Sequence, residues 1–220
     1  MKIFHKITAL ALLLTTSLIV LGCGGGSSSS TATTSTTDTS TTPTTSSSAI
    51  GQGKLSVHLT DAPADYEAVY VTIVEVRVNR EGTEDDDSDD GEWIVVATPN
   101  VTYDLLELQN GITTFMGEEL IPSGDYTQLR LILGNVPDAK LNILGNPHPE
   151  ANYIILTEEN NLEPHALKVP SNTIKYNHNF TLLDGASVDM VIDFDADKSI
   201  HPAGDKWILN PVLKVKTELQ

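Results

Sequence analysis

Apolar residues recur at every second position through most of the chain, which is the spacing of half-buried β-strands. Residues 55–59, 69–73 and 129–133 each place three apolar side chains on one strand face. No stretch of about 11 residues within 53–220 shows a clean helical period. About ten short strands separated by Gly, Pro, Asn and Asp predict an all-β domain, an antiparallel β-sandwich of about 8–10 strands.

Local signals refine this prediction. After Ile73 the apolar spacing slips by one residue, which predicts a β-bulge near Val74 and Glu75. Tyr126 follows a turn, and we expect its hydroxyl to tie back to that turn, as in other sandwiches. Single helical turns are expected only around residues 64–67. Further strands are predicted at 153–156, 166–169, 179–182, 188–194 and 207–215, where Pro211 indicates an edge or a bulge.

Charge and cysteine content exclude several classes of function. The 220 residues contain 13 Lys and Arg against 30 Asp and Glu, a net charge of −17. Such a chain lacks the counter-charge for a phosphate backbone, so no nucleic-acid partner is expected. The single cysteine excludes an intramolecular disulfide, a cysteine-based zinc site and an iron–sulfur cluster.

The amino terminus is typical of a secretory signal. Basic residues precede a short apolar run that ends at Leu21, and polar sequence follows at once. The junction at residues 20–23, Val-Leu-Gly-Cys, resembles the lipobox of bacterial lipoproteins. That resemblance implies cleavage after residue 22, lipidation of Cys23 and an envelope location, with outer-membrane sorting because Gly24 is not Asp. An ordinary signal peptide with an incidental cysteine is the alternative.

Residues 23–52 form a linker between this signal and the foldable part of the chain. Residues 27–48 are Ser or Thr apart from Ala32, Asp38 and Pro43, so the segment has almost nothing to bury and is predicted to be disordered. A flexible tether of this length reaches roughly 30 Å. We therefore divide the chain into a signal (1–22), a lipidated linker (23–52) and a β-sandwich (53–220).

Several phrases resemble a known family. These are Leu-Thr-Asp-Ala-Pro at 59–63, Val-Tyr-Val-Thr-Ile at 69–73, Tyr-Asp-Leu-Leu at 103–106, Pro-Ser-Gly-Asp-Tyr-Thr-Gln-Leu-Arg-Leu at 122–131 and Asp-Phe-Asp-Ala at 193–196. Together they are similar to the DUF4382 family, a domain of unknown function. The resemblance implies a secreted bacterial protein, often a lipoprotein, with a prealbumin-like or carboxypeptidase-regulatory-like sandwich. It implies no activity and no catalytic residues.

The densest acidic segment lies between the second and third predicted strands. A flexible loop of carboxylates can supply the oxygen ligands that Ca²⁺ requires. The acid that would close an EF-hand loop falls on Ala97, so an EF-hand is excluded. A calcium site and a solvated, ligand-free insertion both remain open. The candidate ligands are Asp85, Asp86, Asp87, Asp89, Asp90 and Glu92.

A second acidic set follows the strand at 188–194. Strand alternation predicts that Asp193, Asp195 and Asp197 share one face, where they could bind a cation with Asp61 or Asp65. Asp61 is also expected to accept a hydrogen bond from the backbone two residues on. His148, His178 and His201 could meet only through the fold.

These features favour a non-enzymatic module that presents sandwich loops to an envelope protein or glycan, with calcium dependence left open. The alternative is a metal-dependent hydrolase that uses the acidic strand-end residues. A third interpretation is a purely structural domain of a larger envelope assembly. No motif for nucleophilic hydrolysis or for phosphate binding supports an enzyme.

Lipid anchoring is directly testable. Replacing Cys23 with Ser should abolish labelling by radioactive palmitate and leave the protein unprocessed or released, because the acyl chains have no other attachment point. Cys23 is the only cysteine of the chain. A wild-type protein that takes up no label would refute the prediction, and sucrose-gradient fractionation tests the outer-membrane location.

Overall fold

The domain consists of two β-sheets that pack face to face as a sandwich. The computed structural model describes residues 51–82, 92–157 and 162–220. The smaller sheet has the strand order β13-β10-β1-β5. Its strands are β1 (Gln52–Asp61), β5 (Thr114–Pro122), β10 (Ser187–Phe194) and β13 (Leu213–Leu219). The all-β prediction is confirmed.

The larger sheet is built around one long strand, β2 (Ala68–Arg80). Its path is β11-β12-β8-β7-β2-β6-β9, and β3 and β4 also pair with β2. The remaining strands are β3 (Glu92–Ala97), β4 (Val101–Asp104), β6 (Gly124–Leu133), β7 (Asn152–Ile155), β8 (Pro164–Lys168), β9 (Thr173–Leu182), β11 (Ile200–Ala203) and β12 (Lys206–Leu209).

Two strand pairs depart from the antiparallel prediction. β1 runs parallel to β10, and β12 runs parallel to β8, whereas the other pairs are antiparallel. The strands of each parallel pair are far apart in the chain, so no hairpin dictates their direction. Both sheets are therefore mixed, although they are largely antiparallel.

The bulge in β2 is confirmed. Its pairing with β6 shifts register between Ile73 and Glu75. Without the extra residue, every side chain beyond it would change face. With it, the inward-facing series continues through Val76 and Val78, both fully buried, and Arg77 points outward.

The core lies between the two sheets. From the smaller sheet it takes Leu55, Val57 and Leu59 of β1 together with Met190 and Ile192 of β10, all of which are fully buried. The inward residues of β2 and β6 face them. Buried and more exposed residues therefore alternate along these strands, as the alternating sequence pattern predicted.

Three local predictions need correction. The segment 207–215 is not one strand, because Pro211 lacks the N–H that a ladder needs and lies in the break between β12 and β13. Residues 64–67 form no helical turn. The short helices in the described residues are instead a 3₁₀ helix at Leu105–Leu108 and α1 at Ala196–Ser199. The described residues contain 13 strands rather than 8–10.

No helix in the described part of the chain is long and apolar enough to span a membrane. The amino-terminal segment and Cys23 lie outside the described residues.

Tyr126 closes the turn between β5 and β6 as predicted. It is buried, and its hydroxyl donates a hydrogen bond of 2.6 Å to the Pro122 carbonyl. Its ring stacks on Phe180 of β9, with centroids 4.9 Å apart. The hydroxyl thus ties the start of β6 to the end of β5.

Replacing Tyr126 with Phe should lower the free energy of unfolding by about 1 kcal/mol, because the Pro122 carbonyl loses its hydroxyl donor while the ring keeps its packing. Chemical denaturation of the full chain measures the change. The control is Tyr176→Phe, since the Tyr176 hydroxyl makes no hydrogen bond among the described residues. Equal losses of unfolding free energy in the two variants would show that the hydrogen bond from Tyr126 to Pro122 does not stabilise the domain.

Candidate functional site

Most of the proposed calcium ligands lie outside the described residues. These are Asp85, Asp86, Asp87, Asp89 and Asp90, and the calcium prediction stays a prediction. Glu92 is described: it begins β3, is exposed, and pairs with Arg80, with 3.6 Å between Oε2 and Nη1.

Within the described ranges, no group of three or more His, Cys, Asp or Glu side chains is placed to hold a metal ion. The three histidines considered together lie on different elements. His148 hydrogen-bonds Tyr153, His178 of β9 contacts Thr217, and His201 is exposed on β11. The fold does not bring them into one site.

The acidic set after β10 does not share a strand face. β10 ends at Phe194, so only Asp193 has a strand position. Asp195 caps α1 and is 1% exposed, while Asp197 lies in α1 and is exposed. The alternation argument failed because the chain turns into a helix directly after the strand.

Asp61 lies against this turn at the end of β1. Its Oδ1 accepts a hydrogen bond of 3.0 Å from the Ala196 backbone N–H. The expected donor two residues on cannot exist, because that residue is Pro63. The Asp61 carboxylate instead accepts from the backbone of Ala62, the next residue, so it both shapes the exit from β1 and links β1 to α1.

Burial gives Asp61 an unusual protonation state. The residue is 4% exposed, and its Oδ2 is buried without a hydrogen-bond partner in the described structure. Burial, together with the nearby Asp193 and Asp195 carboxylates, raises the pKa of Asp61 to about 7. A protonated carboxyl removes a buried charge for which the described residues supply no ion pair.

Asp195 behaves in the opposite way. Burial raises its pKa, but hydrogen bonds from Lys198 and the charges of Lys198 and Lys214 outweigh burial and leave the pKa below its usual range. Its Oδ2 lies 2.5 Å from Lys198 Nζ and 3.6 Å from Lys214 Nζ. The two lysines already supply the positive charge that a metal ion would bring.

A concave surface with aromatic and polar walls lies on the outer side of the larger sheet. We call it the β4–loop cleft, because β4 and the 3₁₀ helix form one wall and the loop 134–151 forms the other. It encloses about 370 Å³. Its lining residues are Tyr70, Val101, Thr102, Tyr103, Asp104, Glu107, Leu108, Thr114, Lys140, Leu141, Asn142, Ile143 and His148.

Stacked aromatic rings form the base of this cleft. Tyr70 of β2 stacks on Tyr153 of β7 with centroids 4.6 Å apart, and His148 packs edge-on against both rings. His148 Nδ1 lies 2.8 Å from the Tyr153 hydroxyl. Burial lowers the pKa of His148 despite the nearby Asp138 carboxylate, so neutral imidazole is favoured here.

Hydrogen bonds fasten the loop to this base. The Tyr70 hydroxyl accepts from the Ile143 N–H at 2.9 Å and hydrogen-bonds the Asp104 carboxylate. Asn142 Oδ1 accepts from the backbone N–H groups of Leu144 and Asn146. The loop is therefore held by side chains even though it has almost no regular structure.

Asp104 organises the opposite wall. Its Oδ1 accepts from the Leu106 N–H at 3.1 Å and the Val69 N–H at 3.3 Å, so it caps the 3₁₀ helix and ties it to β2. Burial raises the pKa of Asp104, and these hydrogen bonds oppose the rise. Glu107 adds an exposed carboxylate, and Lys140 is the only lysine or arginine in the described lining.

Sequence reasoning missed this cleft. Tyr70 was assigned to a strand without a role, and the loop 134–151 was not recognised as part of a site. One usable signal existed: residues 136–149 combine three prolines, glycine and asparagine with several apolar residues, which is unusual for a solvated connection.

Most of the chain matches a known protein family. DUF4382, a domain of unknown function, matches residues 52–211. The chain belongs to the DUF4382 family. The match runs from the start of β1 to the break after β12, so it contains both walls of the cleft and omits only β13 of the described strands. Comparison with curated proteins and with solved structures gives no match.

The Asp61 carboxyl predicts a specific pH dependence. Its pKa is raised in the folded state, from 3.8 to about 7, so its contribution to stability is complete below about pH 4 and is lost as pH rises through 7. Asp61→Asn, which mimics the protonated acid, should therefore gain stability relative to wild type on going from pH 5 to pH 8. The expected gain between pH 5 and pH 8 is about 3 kcal/mol, because about two pH units of this window lie below the folded pKa.

Urea denaturation of both proteins at the two pH values measures this difference. Asp205→Asn, at an exposed turn, is the matched control and should change little between them. A stability difference between wild type and Asp61→Asn that is independent of pH would show that Asp61 is ionised throughout.

Proposed function

We propose that this DUF4382 protein is a lipid-anchored, non-enzymatic binding module of the bacterial envelope, and that the β4–loop cleft receives a partner protein. The observation that carries the proposal is the cleft itself, which combines fixed polar walls with an exposed apolar rim. Concave sites with few, well-placed polar groups are the usual location of binding in uncharacterised domains.

The rim supplies apolar contact area. Leu141 is 61% exposed and Ile143 is 46% exposed, although the Ile143 backbone N–H donates a hydrogen bond to the Tyr70 hydroxyl of β2. Val136 and Leu144 of the same loop are also exposed. Soluble domains bury or scatter such residues unless a partner covers them, so their clustering on one pinned loop supports a protein interface.

The charge of the cleft indicates what enters it. Asp104 and Glu107 lie on one wall against Lys140 on the other, and the whole chain carries a net charge of −17. A cationic side chain can pair with these carboxylates, and apolar residues on either side of it can pack against the exposed apolar residues of the rim. We therefore propose a partner segment with a Lys or Arg between apolar residues.

The anchor and tether complete the proposal. Lipidation of Cys23 would hold the domain at a membrane, and the Ser/Thr linker would let it reach partners within roughly 30 Å. Location at the outer membrane and relationship to prealbumin-like sandwiches rest on sequence resemblance. The proposal also includes calcium binding by the acidic segment between β2 and β3.

The metal-dependent hydrolase is the less supported candidate. Its acidic strand-end residues include Asp61 and Asp195, which are 4% and 1% exposed, and lysines already pair with Asp195. A hydrolytic metal centre needs accessible ligands and an open coordination position. The described geometry of these acids supports a structural role instead.

Site-specific photo-crosslinking in intact cells tests the partner proposal. A photoreactive amino acid at position 141 of the full chain should give one adduct of defined mass, because this rim position would touch the partner. Placed at Leu183, which has a similar exposure of 59% in the β9–β10 turn, it should give none.

A second substitution tests the charge argument. Glu107→Lys should reduce the adduct at position 141 by about fivefold, since it puts a like charge beside the incoming cation. Glu119→Lys, on exposed β5, is the control. Equal adducts at positions 141 and 183, or no adduct at 141, would contradict the proposed function.

A further inference from the structure

Four strands lie at the ends of the two sheets, and three of them are protected against pairing with another chain. The ends are β13 and β5 in the smaller sheet and β11 and β9 in the larger one. β11 contains Pro202, which lacks a backbone N–H. β9 places His178 and Asn179 opposite the single residue Thr127, and such a bulge interrupts the hydrogen-bonding edge.

β5 is protected in two ways. Its register against β1 shifts at Met116, so β5 also has a bulge. A Cβ atom added at Gly117 would lie 2.8 Å from the Ala97 Cβ, which shows that β3 packs closely against this strand. β13, by contrast, pairs with β10 without a register shift and contains no proline.

The free edge of β13 can be assigned residue by residue. The Gln220 N–H donates to the Ser187 carbonyl, and the Val212 carbonyl accepts from the Asp195 N–H. Backbone groups alternate in direction along a strand, so residues 214, 216 and 218 also bond to β10, and residues 213, 215, 217 and 219 point the other way. Among the described strands β13 pairs only with β10, so this second set has no strand partner.

The inward face of β13 is incompletely covered at one end. Leu213 and Val215 are buried, whereas Leu219 continues the same face and is 70% exposed. A groove of about 250 Å³ between β9 and β13 runs beside Thr217 and Leu219. The opposite face of β13 carries exposed charges at residues 214, 216 and 218. An added strand on this edge would therefore meet an apolar face on one side and a charged face on the other.

A second copy of β13 fits this edge in one register. Antiparallel pairing about Thr217 places Lys216 of each copy opposite Glu218 of the other. Pairing about residue 216 sets Lys216 opposite itself, and pairing about residue 215 sets Lys214 opposite Lys216 twice. Of the registers centred on residues 214–218, the one about Thr217 is the only one without like charges directly opposite, an arrangement that destabilises a sheet.

The same register also satisfies the backbone and the apolar face. Thr217 lies opposite Thr217 of the second copy, and Val215 lies opposite Leu219 twice. These are residues whose backbone groups point to the free edge, so the three pairs can exchange about six hydrogen bonds. The exposed Leu219 side chain gains Val215 of the second copy as a cross-strand neighbour.

We propose that β13 pairs antiparallel with β13 of a second copy, so that the two smaller sheets join into one continuous sheet. The contact is two-fold symmetric, and the same strand supplies both members of every pair. A strand of another protein would have to carry the same charges in the same order. The β4–loop cleft lies on the other sheet, and the dimer uses none of its residues.

Sedimentation of the full-length chain in neutral detergent tests the dimer from about 1 to 100 μM, because an interface of one strand pair is small. Wild type should pass from monomer to dimer within this range. Lys216→Glu and Glu218→Lys should each raise the dissociation constant about tenfold, since symmetry turns both ion pairs into pairs of like charge.

Mixing these two variants provides a matched rescue. One copy then carries acidic side chains at positions 216 and 218 and the other carries basic ones, so every cross-strand charge pair is again of opposite sign. The mixed dimer should form within about threefold of the wild-type dissociation constant. Lys206→Glu, at an exposed position of β12, makes the same change in net charge and should stay within about twofold of wild type.

Disulfide formation tests the position of the two-fold axis. In a Cys23→Ser chain, which has no other thiol, Thr217→Cys should link the two copies on mild oxidation. Hydrogen-bonded residues of an antiparallel pair have Cα atoms about 5.5 Å apart, within the range of a disulfide. Lys214→Cys is the control, because its two copies would lie about 20 Å apart. Thermal melting checks that each variant is folded.

Three results would overturn the proposal. A chain that stays monomeric at about 100 μM has no such contact. Equal weakening by Lys206→Glu and Lys216→Glu would show an effect of net charge rather than of strand pairing. Cross-linking of Lys214→Cys as fast as that of Thr217→Cys would show random collision instead of a dimer centred on Thr217.

Discussion

The rest of the structure depends on the hydrogen bonding of β2. This strand pairs with β4 and β3 along one edge and with β7 and β6 along the other. Its bulge after Ile73 keeps valines in the core on both sides of the irregularity and turns Arg77 outward. One inserted residue therefore preserves the core and determines which side chains reach the solvent.

The outer face of β2 is divided into two chemically distinct parts. Near its start, Tyr70 and Thr72 fasten the loop 134–151, and Thr72 Oγ1 lies 2.9 Å from Thr102 and 2.7 Å from the Ala151 carbonyl. Past the bulge, Arg77 pairs with Glu75 on this face, and the Arg130 guanidinium lies over the Trp93 ring. The cleft with its apolar rim therefore occupies only the first part of this face, and paired or stacked basic side chains occupy the second.

Sequence reasoning succeeded where the signal was local. The period of two found the core strands, the spacing slip found the bulge, and the turn before Tyr126 predicted its hydroxyl bond to Pro122. It failed where distant segments meet. Asp61 and Ala196 are joined across 135 residues, and no spacing rule could show that the donor to this carboxylate would be the start of α1. The cleft was missed because Tyr70, Asp104 and Asn142 come from three separate segments.

The sequence by itself determined that this chain is acidic, all-β and a member of the DUF4382 family, because composition, alternation and motif phrases are properties of neighbouring residues. Only the tertiary structure decided that β1 lies parallel to β10, that Asp61 Oδ2 is buried without a hydrogen-bond partner among the described residues, and that the Ala196 N–H donates to Asp61. Strand order and register depend on which remote strands pack together, and that choice minimises the free energy of the whole core rather than of any local segment.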